Sequence, residues 1–286
     1  MSFDPRVTPA RPDLAAAHLH GKVQADRFVE GVTFEVFDPV APVRQSPVPD
    51  AMLVTEALKG ERVTIYDQDG EGWGWGQLRA DDYVGWLPMN ALRAAGREPT
   101  HKVAVLRTIL FPGRSIKAQP VEGLPLGCRV AVIGEDGQLA RLASGGYVPA
   151  HHLAPLDAVA PDFVSVAERF LGVPYLWGGK TSLGIDCSGL VQVALTAGGI
   201  ACPRDSDMQR AIGTAVALGD PAGLRRGDLV FWKGHVGIMR DAATLLHANA
   251  FHMAVAAEPL RDAAARAGET VSEVIAVRRL QGAHTS

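Results

Sequence analysis

Gly184-Ile185-Asp186-Cys187-Ser188-Gly189-Leu190-Val191-Gln192-Val193-Ala194-Leu195 is the stretch from which the rest of the chain can be read. A glycine-rich approach, Gly172-Val173-Pro174-Tyr175-Leu176-Trp177-Gly178-Gly179, precedes it, and glycine and proline let a backbone turn sharply. The apolar residues after Cys187 recur at helical spacing, so the pattern predicts a helix that opens on the cysteine. In the first turn, unpaired N–H groups and the helix dipole favour a thiolate. Most cysteines are simply small buried residues. A nucleophile therefore has to be supported by a base elsewhere in the chain.

The 286 residues give room for two or three domains. With 47% hydrophobic and 21% charged residues the composition is that of a folded globular protein. A net charge of −3 and the lack of a Lys/Arg-rich block argue against a nucleic-acid partner. Met1-Ser2-Phe3-Asp4-Pro5-Arg6 does not resemble a secretory leader, and no apolar run approaches a membrane span, so a cytoplasmic protein is expected. Cys128, Cys187 and Cys202 are an odd number without C-x-x-C spacing, which fits reduced thiols better than a disulfide framework or a zinc site.

Residues 1–44 read as an N-terminal arm with little core of its own. From 45 to 97, strand-like runs such as Arg62-Val63-Thr64-Ile65-Tyr66 and Tyr83-Val84-Gly85-Trp86-Leu87 alternate with turn residues and predict a small barrel. The order recurs over 98–156, giving a degenerate tandem repeat. After Pro155 the pattern changes to helices plus strands, starting with a helix over Phe163–Leu171, and 157–286 form the unit that carries the candidate chemistry.

A cysteine nucleophile needs a base, and the base needs an orienting group. His235 opens His235-Val236-Gly237-Ile238-Met239, and His247 lies in Thr244-Leu245-Leu246-His247-Ala248. Joined by a loop of Arg240, Asp241 and Ala242, these runs form a hairpin in which residue 239 faces 243 and His235 lies directly across from His247. A directly opposed pair has Cβ atoms roughly 4.5–5.5 Å apart. Cysteine, base and orienter then follow papain-like chain order. His18, His20, His101, His151, His152, His252 and His284 read as surface or satisfied core residues.

Tyr175-Leu176-Trp177-Gly178-Gly179, Asp186-Cys187-Ser188-Gly189-Leu190, Pro203-Arg204-Asp205-Ser206, Gly227-Asp228-Leu229-Val230-Phe231 and His235-Val236-Gly237-Ile238 together resemble the NlpC-type cell-wall cysteine peptidases. The upstream repeats resemble the bacterial SH3 (SH3b) domains found with that family in γ-D-glutamyl-L-diamino acid endopeptidases. The resemblance implies an α+β chain, in which two small SH3-like β-barrels precede a papain-like domain of helices and antiparallel sheet. It implies Cys187 as nucleophile, His235 as general base and His247 as orienting residue. Tyr175, Asp186, Ser188 and Ser206 match positions lining the substrate groove. An acidic side chain of the first barrel is implied to receive the substrate's free amine. Glu56 is the candidate, with Tyr83 as a second contact and Asp81 and Asp82 as competitors.

The expected activity is hydrolysis of the γ-D-glutamyl–diamino acid bond in murein peptides, with meso-diaminopimelate or lysine as the diamino acid. Neither metal nor organic cofactor is required. The compartment points to free L-Ala-γ-D-Glu-diamino acid peptides met during wall recycling. The rivals are a Cys-His-His amidase or acyltransferase on the same fold, and a non-catalytic module that binds wall fragments.

Overall fold

Short β-branched runs broken by glycine and proline build the N-terminal unit, Met1–Leu156, of the computed structural model, which describes residues 3–217, 223–270 and 273–280. Its first barrel is a seven-stranded sheet. The strand order is Leu53–Leu58, Val40–Arg44, Val84–Pro88, Trp73–Leu78, Arg62–Gln68, Val32–Val36, Leu92–Ala94. Residues 32–44, assigned by sequence to the arm, are therefore barrel strands. Their alternation puts Val36, Ala41 and Val43 into the core with Val63, Ile65, Leu78 and Leu87. Proline punctuation hid them: Pro42 sits within a strand at Cα register with Glu56.

The segment before residue 32 packs on this barrel. Leu14 is fully buried against Trp75 and Val84, while the Arg11 guanidinium lies 4.4 Å from the Trp75 ring centre and pairs with Asp67 at 2.5 Å.

The second barrel, from His101–Val103 to Leu153–Pro155, ends like the first, with a strand, a single 3-10 turn and another short strand. Leu58 enters its core beside Val103, Leu124, Val130 and Val148. Where the barrels join, Gly60 has φ +80, and a Cβ there would lie 2.2 Å from the Arg129 carbonyl oxygen, so only glycine fits.

In the second unit, Asp157–Ser286, the first helix is Phe163–Glu168. Asp162 caps it by accepting from the Val164 N–H at 2.9 Å. The helix is shorter than its periodicity predicts, because Phe170 and Leu171 donate to carbonyls three residues back and Gly172 turns the chain at φ +82. Phe163, Val164, Ala167 and Phe170 are buried as expected, but Leu171 is exposed.

The helix Cys187–Ala197 follows a two-stranded hairpin, Lys180–Thr181 with Gly184–Ile185. An antiparallel six-stranded sheet then runs in the order Thr214–Val216, Ala276–Arg279, Leu229–Trp232, His235–Met239, Thr244–Asn249, Ala254–Pro259. Helix Leu260–Thr270 covers part of it through Ala263, which packs with Val230, Trp232, Met239 and Leu245. Among the described residues no helix is long and apolar enough to cross a membrane. His284 lies outside the described residues.

Candidate active site

Cys187 is the first residue of its helix, and Asp186 is the cap. Asp186 Oδ1 accepts from the Gly189 N–H at 2.6 Å, and Oδ2 accepts from the Gly178 N–H at 2.8 Å. One carboxylate thus ties the helix start to the preceding glycine loop. The approach is so close that a Cβ on Gly189 would lie 2.3 Å from the Gly179 carbonyl oxygen.

Beneath this junction lies Arg204, only 1% exposed. Its Nη1 donates to Asp186 Oδ1 at 2.9 Å and to Ser188 Oγ at 2.8 Å, and its Nη2 donates to Asp186 Oδ2 at 2.7 Å. Gln209, fully buried, donates from Nε2 to the Ser188 carbonyl at 2.9 Å. Asp186 and Ser188, expected to line the groove, therefore direct their polar atoms into the support of the Cys187 helix. Tyr175 and Cys187 are electrostatic neighbours, and Ser206 opens the short helix Ser206–Gln209 while remaining partly accessible.

The histidine hairpin differs in detail from its predicted register. Ile238 pairs with Leu246 and Met239 with Leu245, and the Arg240 N–H donates to the Thr244 carbonyl at 2.8 Å. The loop has slid by one residue to Asp241, Ala242 and Ala243. Asp241 Oδ1 accepts from the N–H groups of Ala243 and Thr244 at 2.9 and 2.8 Å, a side-chain turn that selects this loop. The register accordingly moves by two residues, so Gly237 faces His247. A shift of two preserves the sheet face. His235 and His247 become diagonal neighbours and still meet, Nε2 to Nδ1, at 2.8 Å. Gly237 makes room, since a Cβ there would clash with Leu245 and lie 3.1 Å from the His247 Cβ.

Beyond His247, its Nε2 lies 2.9 Å from Glu258 Oε1. Arg266 Nη1 donates to Glu258 Oε2 at 3.0 Å, and Nη2 contacts Oε1. Neither Glu258 nor Arg266 was singled out from sequence. The available cue was strand alternation, which puts Glu258 on the same face as Ala254 and Ala256, and Ala256 pairs with His247. His252, read as an ordinary histidine, stands 3.8 Å from Glu258 Oε1. Ligand atoms of His247, His252 and Glu258 lie within 4.8 Å of one another, the spacing of a metal cluster. Arg266 holds the Glu258 carboxylate, so the group reads as a hydrogen-bond relay instead.

Burial dominates the electrostatics. It pushes the Cys187 thiol up to about 12, helped by the Asp186 carboxylate and opposed by the Val236 N–H, Arg204 and the Ser188 N–H. Desolvation thus opposes the thiolate that the helix terminus favours. Burial likewise lowers His235 to about 3, with His247 and Arg266 acting in the same direction and Asp186 and Glu258 against it. His247 is lowered by burial against the pull of Glu258. Burial raises Glu258, but hydrogen bonds from Arg266 and His247 leave it below its ordinary value and ionised.

A pH dependence of stability follows. The folded state excludes a proton from His235 that the unfolded chain binds near 6.5. The stabilising contribution is complete above that value and is lost as pH falls from there toward about 3. Thermal midpoints between pH 7.5 and 4 are expected to fall more steeply for the wild type than for His235→Asn; parallel curves would count against a neutral buried imidazole.

Glu56 and Tyr83 belong to the N-terminal unit. Glu56 is 7% exposed on strand Leu53–Leu58, not a solvated edge carboxylate, and Tyr83 is in the barrel core. Asp81 Oδ1 accepts from the Tyr83 N–H at 3.2 Å, and Asp82 is exposed at φ 60.

A helix opening on cysteine, beside an antiparallel sheet carrying linked histidines, is the arrangement of the papain-like cysteine peptidases. Comparison with known proteins narrows the class. The NlpC/P60 family profile matches residues 172–268, and the bacterial dipeptidyl-peptidase Sh3 domain profile matches 43–92. The gamma-D-glutamyl-L-lysine dipeptidyl-peptidase of Bacillus cereus is 30% identical over 243 residues, covering 73% of this chain and 71% of that protein. The protein of the same name from Bacillus subtilis is 29% identical over 221 residues, covering 69% and 73%. A solved NlpC/P60 family protein from Bacillus cereus shares the fold with a TM-score of 0.72 at 22% identity, over 86% of this chain and 99% of that one. The chain belongs to the NlpC/P60 family of cysteine peptidases, with an SH3-like β unit upstream.

Proposed function

We propose that this enzyme hydrolyses the γ-D-glutamyl–diamino acid bond of free murein peptides such as L-Ala-γ-D-Glu-diamino acid, during recycling of wall fragments. The observation that carries the chemistry is the 2.8 Å contact between His235 and His247 on the sheet face beside the Cys187 helix. The substrate class rests on the activity named for the two Bacillus relatives and on the Sh3 profile upstream.

His235 Nδ1 takes the thiol proton as Cys187 Sγ bonds to the γ-carbonyl carbon. The Cys187 N–H, at the first helical position, stabilises the oxyanion. Collapse breaks the C–N bond, and His235 returns the proton to the leaving amine. Water, deprotonated by His235, then attacks the thioester and releases the dipeptide acid with the thiol restored. Tyr175 and Ser206 are the groove residues of this reading, and Glu56 is its candidate for the acidic group that receives the substrate amine; Tyr83, in the barrel core, is not a contact. The reduced thiols of Cys128, Cys187 and Cys202 fit a reducing compartment, the cytoplasm.

An acidic amine receptor rejects blocked peptides. Free L-Ala-γ-D-Glu-diaminopimelate is expected to be cleaved with kcat/KM on the order of 10²-fold above its N-acetylated form, since acetylation removes the cationic amine that a carboxylate would bind by a charge-assisted hydrogen bond. Mass-spectrometric rates for the pair test this, and equal rates would remove the amine receptor from the proposal.

A further inference from the structure

Glu258 and Arg266 have no part in the bond-making steps above, yet they continue the histidine line without a break. The line runs diagonally over three adjacent strands, from His235 to His247 at 2.8 Å and on to Glu258 at 2.9 Å, and ends on the helix that carries Arg266. An ionised carboxylate only accepts hydrogen bonds. His247 Nε2 must therefore carry the proton that faces Glu258. In a neutral His247, Nδ1 is then a bare acceptor, so His235 must present its own proton from Nε2. That leaves Nδ1 of His235 as the basic nitrogen.

We propose that Glu258, clamped by Arg266, is a positioning residue that sets the tautomers of His247 and His235 and so selects Nδ1 of His235 as the base. This rests on the reading of Cys187 and His235 as nucleophile and base. Arg266 supplies the rigidity, since its guanidinium also stacks over Phe251 at 4.1 Å and holds both carboxylate oxygens. The other ionisable groups facing the two rings are Asp186 and His252, neither of which hydrogen-bonds to either ring.

In Glu258→Gln one oxygen becomes an amide NH₂. Arg266 claims the remaining oxygen, and the NH₂ turns to His247 Nε2, which reverses both tautomers. The expected result is a fall in kcat on the order of 10²-fold with KM within about two-fold. Alkylation of Cys187 by iodoacetamide at neutral pH should slow by about ten-fold or more, because the thiol loses its proton acceptor. Long-range ¹H–¹⁵N spectra should show His235 and His247 protonated at Nε2 in the wild type and at Nδ1 in the variant. A wild-type His247 protonated at Nδ1 would overturn the proposal whether or not the variant folds. So would a folded variant with unchanged alkylation rate and unchanged tautomers. Tautomers and alkylation are read without substrate, so an enzyme that fails to cleave murein peptides leaves this test intact.

Discussion

Cys187→Ala is expected to fold normally and to lose peptidase activity by about 10⁵-fold or more. The two outcomes are separable because Cys187 is attached to the fold weakly, while in the proposed mechanism it carries the attacking atom. Its side chain is small and 6% exposed, and deleting one buried atom of this size costs about 1 kcal/mol. Helix nucleation there depends on the Asp186 cap, which the substitution leaves in place. The attacking atom of the proposed mechanism, by contrast, has no substitute: His235 can deprotonate water, but water cannot form the thioester. Mass-spectrometric assay of diamino acid release, with a thermal midpoint from the same sample, decides the matter. Retained activity in a folded Cys187→Ala protein would remove the covalent mechanism.

Arg204→Met is expected to cost stability on the scale of about 3–5 kcal/mol, lowering the midpoint of the peptidase unit by roughly 10 °C or more. Arg204 and Asp186 have side chains 1% and 8% exposed, and their bidentate pair is buried beneath the Cys187 helix. Removing the cation strands a carboxylate in a site that water hardly reaches. The same argument predicts the repair. Asp186→Asn with Arg204→Met removes both charges while asparagine still caps the helix, so the double variant should regain a large part of the loss. Thermal unfolding of both single variants and the double variant measures the coupling. Additive losses would show that the pair is not the source of the effect.

The run after Cys187 was legible as a helix because its apolar spacing is local and its cap is the adjacent residue. The parity of the histidine strands was legible for the same reason, since strand alternation needs only the next two residues. The hairpin register was not, because it depends on which residues close the loop. Asp241 decided that by hydrogen-bonding two N–H groups of its own turn. Residues 32–44 were misassigned because Pro42 reads as an interruption, while the pairing partners that make it a strand lie more than ten residues away.

Short-range chemistry in the chain therefore specified the candidate nucleophile, its helix, the two histidines and the face they share. Long-range packing settled everything that depends on a partner distant in sequence. Arg204 reaches the helix start from beyond the helix's end, and Glu258 reaches His247 from the neighbouring strand. Burial also opposes the thiolate expected of Cys187. A helix terminus is visible in one segment, but desolvation is the sum over every segment folded around it.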